Sequence, residues 1–338
     1  MHNVAVLVYP NCMGTEVFAV ADVLLIANNL AAILEPGKKP AFSIRMVAAR
    51  REPITLAGGF QFNAASGGQV PEVLVIPGQE VTGFGQWDQR LERLQPELQL
   101  IRRWHARDVA MSAVCLGGFV LAEAGVVGAR RMTTPWAFER EFRMRYPSIN
   151  VESGAVVCKD KGLITAGAFS SVFDLALHLI GQHHGERIAR ASANIALVRR
   201  GRSTQQPYVD VSLVPQDRLS FSAQVNRWLT SHISSPYDLG HLASSFNVSS
   251  RTLLRRYKEE TGLTPLAWLQ QVRIGKAKRL LEVSAMSLGE VVEKVGYQDV
   301  ATFSRLFVRH VGESPARYRR QHSPCAPARP AAWRSPTG

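Results

Sequence analysis

The sequence predicts two domains of different class: an α/β domain with a largely parallel sheet, then an all-α domain built on a double helix-turn-helix. Three observations predict this. Short apolar runs alternate with amphipathic stretches over roughly the first 180 residues. A two-helix pattern then occurs twice at nearly constant spacing. The excess basic charge gathers around that repeat.

Taken in order, residues 4–9 (VAVLVY) read as a buried strand and residues 16–30 as a helix. Residues 42–47 and Val73–Ile76 are strands, the latter ending at Pro77-Gly78. Residues 91–106 read as one helix with charged outer positions. Residues 109–114 are a strand, 116–124 a helix and 136–146 another helix. Residues 151–157 and 163–165 read as strands, and 170–182 as a helix. Residues 188–199 are helical, after which Gly, Pro and polar residues break the pattern. The expected division is a first domain over 1–188, a helical segment and linker over 189–216, a second domain over 217–321 and a disordered tail over 322–338.

The second domain opens with a helix over 218–233. Its repeat is specific. Leu239, Leu242, Ala243 and Phe246 precede Leu288, Val291, Val292 and Val295 by 49 positions. Leu253, Arg255, Tyr257, Gly262 and Pro265 precede Phe303, Arg305, Phe307, Gly312 and Pro315 by 50. The one-residue change falls in the turn, where length varies most easily. A long helix over 265–282 joins the copies, with Pro265 suited to its first turn. From 216 onward there are 18 Lys+Arg against 9 Asp+Glu, whereas the longer first part holds 22 against 18. Basic charge coincident with such a motif suits a phosphate-facing surface.

The apolar strand pattern begins at once, so no signal peptide is read, and no apolar run is expected to span a membrane. Cys12, Cys115, Cys158 and Cys325 show no CxxC or Cys/His spacing. No metal or cofactor is expected, and the compartment is expected to be the cytoplasm.

Residues 110–121 read AMSAVCLGGFVL, placing Cys115 between a strand and a helix with Gly117 and Gly118 behind it. This is the outline of a nucleophile elbow, and a helix N-terminus can lower a thiol pKa. Gly78 and Glu16 are candidate neighbours. Taken alone, Cys115 reads equally as a small buried residue at a tight turn, Glu16 as a helix-start carboxylate and Trp136 as core.

These segments carry a resemblance. Residues 4–10 with Glu16, VLVIPG, SAVCLGGFVLAEAGVVGARRMTTPW and GLITAGAFSSVFDLALHLI resemble the class I glutamine amidotransferase-like domain of the PfpI type, a flavodoxin-like α/β fold. LASSFNVSSRTLLRRYKEETGLTP and VGYQDVATFSRLFVRHVGESPARYRR resemble the AraC/XylS DNA-binding domain. The combination resembles the GlxA group of transcriptional regulators. The resemblance implies a sensor domain, promoter DNA and RNA polymerase as partners, and a homodimer paired through the first domain. It also implies a small-molecule effector, since members of the group sense arginine, glycine betaine or carnitine.

One departure bears on chemistry. The family run Thr-Thr-His-Trp is here Thr133-Thr134-Pro135-Trp136. Proline neither accepts a proton nor orients a thiolate, so no catalytic residue is expected. The former active site is read instead as an effector pocket lined by Glu16, Gly78, Cys115 and Trp136. A helix N-terminus there suits a carboxylate, and Glu with Trp suits an amine or quaternary ammonium. The rival reading is an amidase- or glyoxalase-type enzyme with a DNA-binding appendage.

In the second domain Ser249 is the expected cap of a reading helix. Ser250, Arg251, Arg255 and Lys258 are its expected DNA contacts, with Arg251 and Arg255 where AraC-type relatives meet base edges. Val300, Ala301, Ser304 and Arg305 occupy the matching places in the second copy. Arg309 and Lys276 are expected at phosphates.

Overall fold

The computed structural model describes residues 1–323 apart from 38, 67, 82, 84–85, 153, 211–212 and 215–219. The expected tail and the start of the expected second domain at 217 therefore lie outside the described residues, apart from 322 and 323. The chain divides into two compact units, one ending at Gln205 and the other beginning at Gln206.

The first unit runs β1 (His2–Leu7), α1 (Gly14–Leu34), β2 (Phe42–Ala48), β3 (Ile54–Thr55), β4 (Gln61–Phe62), β5 (Ala65–Ser66) and β6 (Val73–Ile76). It continues through α2 (Trp87–Glu92), α3 (Gln95–His105), β7 (Ala110–Val114), α4 (Gly117–Glu123), β8 (Arg131–Met132), α5 (Glu139–Arg145) and β9 (Asn150–Val151). It ends with β10 (Val157–Asp160), β11 (Leu163–Ala166), α6 (Val172–His184) and α7 (Glu186–Ile195). The main sheet has the order β10-β11-β7-β6-β1-β2-β5. Every neighbouring pair is parallel except β10 with β11. This is the flavodoxin-like α/β architecture. β1, β6, β7 and β11 are almost wholly buried, as continuous apolar runs in a sheet covered on both faces must be. Helices α1, α6 and α7 pack together, and α3 packs on α4. The chain leaves β1 in one direction across the sheet and returns to β6 on its other side. The strand order therefore switches between β1 and β6, where open α/β sheets leave a crevice at the carboxyl ends of their strands.

Several boundaries differ from expectation. The stretch 91–106 is two helices, because Pro96 starts a new first turn in α3. The stretch 136–146 begins as a 3-10 turn over Trp136–Phe138 before α5. The strand expected over 151–157 is cut short: Gly154 has φ +81°, and the paired strand begins only at Val157. Contrary to the expected absence of membrane-length runs, α1 is 21 residues long and apolar enough to cross a membrane by length and composition. In this fold its inner face, including Val17, Val20, Leu24 and Ala27, is buried in the core of the first unit.

The second unit holds α8 (Phe221–Ser231), α9 (Leu239–Ser245), α10 (Ser250–Thr261), α11 (Pro265–Val283), α12 (Leu288–Lys294), α13 (Val300–Val311) and α14 (Pro315–His322). Each begins at a Ser, Thr or Asp whose side chain accepts a helical N–H: Ser220, Asp238, Ser249, Thr264, Ser287, Asp299 and Ser314. None of the described α-helices of the first unit has such a cap. Short helices around small cores draw more of their definition from their ends. Among the described residues there are two such cores. One gathers Leu242, Leu253, Tyr257 and Trp268, the other Val291, Phe303, Phe307 and Tyr318.

Candidate functional site

The crevice at the switch point is built by three strand ends. β7 leads into Cys115, whose φ is +52°, a conformation that side-chain-bearing residues rarely adopt. Its N–H donates to Ala166 O at 2.8 Å, which anchors the turn to β11. α4 follows at once. A Cβ at Gly117 would stand 2.3 Å from Ile76 O, so only glycine lets the elbow approach the end of β6. From β1, Tyr9 donates its hydroxyl to Pro77 O at 2.6 Å, and Met13 N–H donates to Gly78 O at 2.8 Å. Glu16, in the first turn of α1, is buried and accepts from Gly78 N–H at 2.6 Å. A methyl placed on Gly78 would lie 3.0 Å from Cys115 Cβ and 3.2 Å from Glu16 Oε2. Glu16, Gly78 and Cys115 therefore meet, as expected.

Their electrostatics correct one expectation. Burial pushes the Glu16 carboxyl up to about 8, against the pull of the Gly78 N–H and the Cys115 thiol. Burial, and then the Glu16 charge, drive the Cys115 thiol well above its ordinary range. The short helix behind it does not lower the thiol, because desolvation outweighs a helix terminus of 7 residues. At neutral pH the site presents a neutral thiol and a largely protonated acid. Glu16 Oε1 is buried with no hydrogen-bond partner among the described residues.

Trp136 is half-buried, and its backbone N–H donates to Gln205 Oε1 at 3.1 Å. Gln205 falls within the expected linker. It is instead 2% exposed, and its Nε2 donates to Thr134 O at 3.0 Å, Ala155 O at 2.9 Å and Thr133 Oγ1 at 3.3 Å. It thus ties down the Thr133-Thr134-Pro135-Trp136 run. Nothing in the polar run around it marks a buried residue, since its partners are 50 to 72 positions away. A separate cavity of about 570 Å³ opens at the amino-terminal ends of the central strands, where His2, Glu72, Ala110, Leu163 and His183 line it. It shares no lining residue with the elbow.

In the second unit Ser249 caps α10 as expected, its Oγ accepting from Thr252 N–H at 3.2 Å. Leu253 and Tyr257 are fully buried, which turns Arg251, Arg255 and Lys258 outward, all exposed, with Ser250 half-buried. Arg255 pairs with Glu259 at 3.1 Å across one helical turn. In α13 Phe303 and Phe307 are buried, while Val300, Ala301, Arg305 and Arg309 are exposed and Ser304 is half-buried. Arg305 donates to Thr302 Oγ1 at 3.2 Å. Lys276 Nζ donates to Lys294 O at 3.0 Å, closing the end of α12. Its position on the central helix puts it within reach of that terminal carbonyl.

Comparison with known proteins follows the same division. The chain is similar to the HTH-type transcriptional regulator CdhR of Pseudomonas aeruginosa, 27% identical over 327 residues covering 88% of this chain and 96% of that protein. It is similar to the HTH-type transcriptional regulator GbdR of Pseudomonas aeruginosa, 26% identical over 219 residues, 63% of this chain. The match spans only 58% of the length of GbdR. A third relative is the HTH-type transcriptional regulator GlxA of Rhizobium meliloti, 26% identical over 230 residues, 65% of this chain and 68% of that protein. Residues 242–321 match the helix-turn-helix domain, and residues 2–182, more than half of the chain, match the DJ-1/PfpI family. The chain belongs to the DJ-1/PfpI family and carries an AraC-type helix-turn-helix domain behind that fold.

Proposed function

We propose that this protein is a ligand-responsive transcriptional regulator whose second unit binds double-stranded promoter DNA. The observation that carries the reading is the repeated pair of capped helices, each turning an exposed face outward: Arg251, Arg255 and Lys258 on α10, and Val300, Ala301, Arg305 and Arg309 on α13. Arginines on such a face suit guanine edges in a major groove, and Val300 and Ala301 suit thymine methyls. Two copies suit two successive grooves about 34 Å apart. The Arg255–Glu259 pair is exposed, so DNA displaces a contact of only about 0.3–0.5 kcal/mol. The division 1–188, 189–216 and 217–321 is kept as the functional one, with effector sensing in the first part and DNA reading in the third.

The first unit is a sensor and not an enzyme. A neutral, half-buried Cys115, with Pro135 where the family run carries its histidine, lacks both thiolate and base, which argues against acyl transfer. The effector is a small amine, amino acid or quaternary ammonium. It approaches Glu16 Oε1, where its positive charge draws the carboxyl into its ionised form, with Gly78, Cys115 and Trp136 as the remaining walls. The protein acts in the cytoplasm as a homodimer and as an activator that contacts RNA polymerase. Phe18, Leu25 and Ile33 form an exposed apolar stripe on α1 that fits pairing of two first units.

Selection of bound fragments from a random duplex pool tests the reading. Enrichment of a bipartite site is expected, and recovery of unenriched sequence would overturn it. A thermal-shift panel of amines and amino acids tests the sensor. Turnover of amides or α-ketoaldehydes that Cys115→Ser abolishes would replace the sensor with an enzyme.

A further inference from the structure

α11 serves two cores in succession. Trp268, Leu269 and Val272 from its first half enter the core of the first helix pair. Ile274, Ala277 and Leu281 enter the core of the second. Between the two sets stands Arg273, only 4% exposed. A buried guanidinium is costly unless its donors are satisfied. Here Nε donates to Ile233 O at 2.9 Å, Nη2 donates to Ser235 O, and the guanidinium carbon lies 5.1 Å from the centre of the Tyr297 ring.

These partners come from different halves of the unit. Ile233 and Ser235 lie between α8 and α9, on the side of the first pair. Tyr297 lies in the turn of the second pair. Ser234 Oγ donates across the same seam to Lys294 O at 3.0 Å. Gly296 completes it: with φ +82°, a Cβ there would stand 2.5 Å from Ile233 O and 2.7 Å from Arg273 Nη2. The corresponding turn residue of the first copy is Asn247, also at positive φ (+52°) and exposed. Backbone conformation alone therefore does not require glycine at 296; the close approach of the two halves does.

We propose that Arg273 is a positioning residue that fixes the second reading helix against the first, so that the protein selects operators by the spacing between their two half-sites. The proposal rests on the DNA-reading function of the second unit. Arg273 faces the seam and lies on neither reading helix, so it sets where the bases are met and not which bases are preferred. Loosening it lets α13 follow its groove when the spacing is wrong, and holds α13 less firmly on its bases when the spacing is right.

The test uses the full chain and the duplex that wild type selects, with one base pair inserted or removed between half-sites. Wild type is expected to lose about tenfold or more in affinity with either change, as one half-site falls out of register. Arg273→Leu is expected to flatten that penalty while keeping the base preference within each half-site, and Arg273→Lys to fall between. Retention of the full spacing penalty by Arg273→Leu that remains folded by circular dichroism would overturn the proposal. If Arg273→Leu does not fold, Arg273→Lys decides it, because a flexible point charge lacks the rigid Nε–Nη2 fork and holds the two carbonyls less firmly: an unchanged penalty overturns it and a reduced one supports it. Selection of a bipartite site that tolerates any spacing overturns this proposal alone, whereas selection of no site removes the DNA-reading function beneath it.

Discussion

Glu16 holds a proton that the same residue in an unfolded chain gives up. Its ordinary value is 4.5 and burial lifts it to about 8. Between those values the folded state binds the proton and the unfolded state does not, so stability falls as pH rises through the window. Below 4.5 the contribution is fully present, and above 8 the loss levels off. Each pH unit of the difference corresponds to about 1.4 kcal/mol. Thermal melts of Glu16→Gln from about pH 4.5 to 8.5 are expected to lose this part of the decline, and parallel curves for variant and wild type would contradict it. The reading helices offer a second contrast between single residues. Arg251→Ala is expected to cost about 1–3 kcal/mol on the selected site and to relax its sequence preference. Arg309→Ala is expected to weaken binding to all DNA and lower the salt slope by about one. Equal losses on selected and random duplexes for Arg251→Ala would move that residue to a phosphate. Glu16, Gly78 and Cys115 are legible in the sequence because each stands at the end of a strand or start of a helix, where local pattern fixes position. The direction of the Cys115 shift is not, because it depends on desolvation by distant packing.

At the scale of the element, the caps separate the two units. Ser249→Ala removes the acceptor for Thr252 N–H and is expected to destabilise the second unit by about 1 kcal/mol. Urea unfolding followed through Trp228 and Trp268 of the second unit would register it; an unchanged midpoint would mean that α10 is held by packing alone. Such caps are short-range devices, and Ser249 and Pro265 can be placed from their neighbours. So can the buried strands, whose apolar runs are too short for helices. The elements that differ from expectation have mixed causes: Pro96, a local signal, splits 91–106, whereas others are shaped by distant partners. Residues 151–157 look β-prone, yet Gly154 turns the chain and Ala155 bridges to Thr204 instead. α1 reads short in the sequence because its apolar residues continue all round, leaving no polar face to mark its end.

At the scale of the molecule, each unit is organised by a different principle. The first is a single large core around a sheet, and its candidate site is a crevice between strand ends. The second divides into two small cores strung on one helix. Duplication makes this second plan readable, since a 49- or 50-residue offset recurs whatever the packing. The seam between the copies is not readable. Arg273 looks like any basic residue on a long helix until the carbonyls of Ile233 and Ser235 are brought to it.

Gln205 bears on how this chain can be cut into pieces. Val156 N–H donates to Ser203 O, Ala155 bridges to Thr204, and the Gln205 side-chain amide accepts from the Trp136 backbone N–H and donates to Thr134 O. A few residues later, Val209 O accepts from the buried Lys278, and Asp210 pairs with Arg279 at 2.9 Å. Dissection is therefore unforgiving by a handful of residues. A fragment over 1–205 is expected to melt well above one over 1–202, and a partner fragment starting at 206 above one starting at 213, which strands the Lys278 ammonium. Identical melting within either pair would show that these contacts add nothing to the pieces they close.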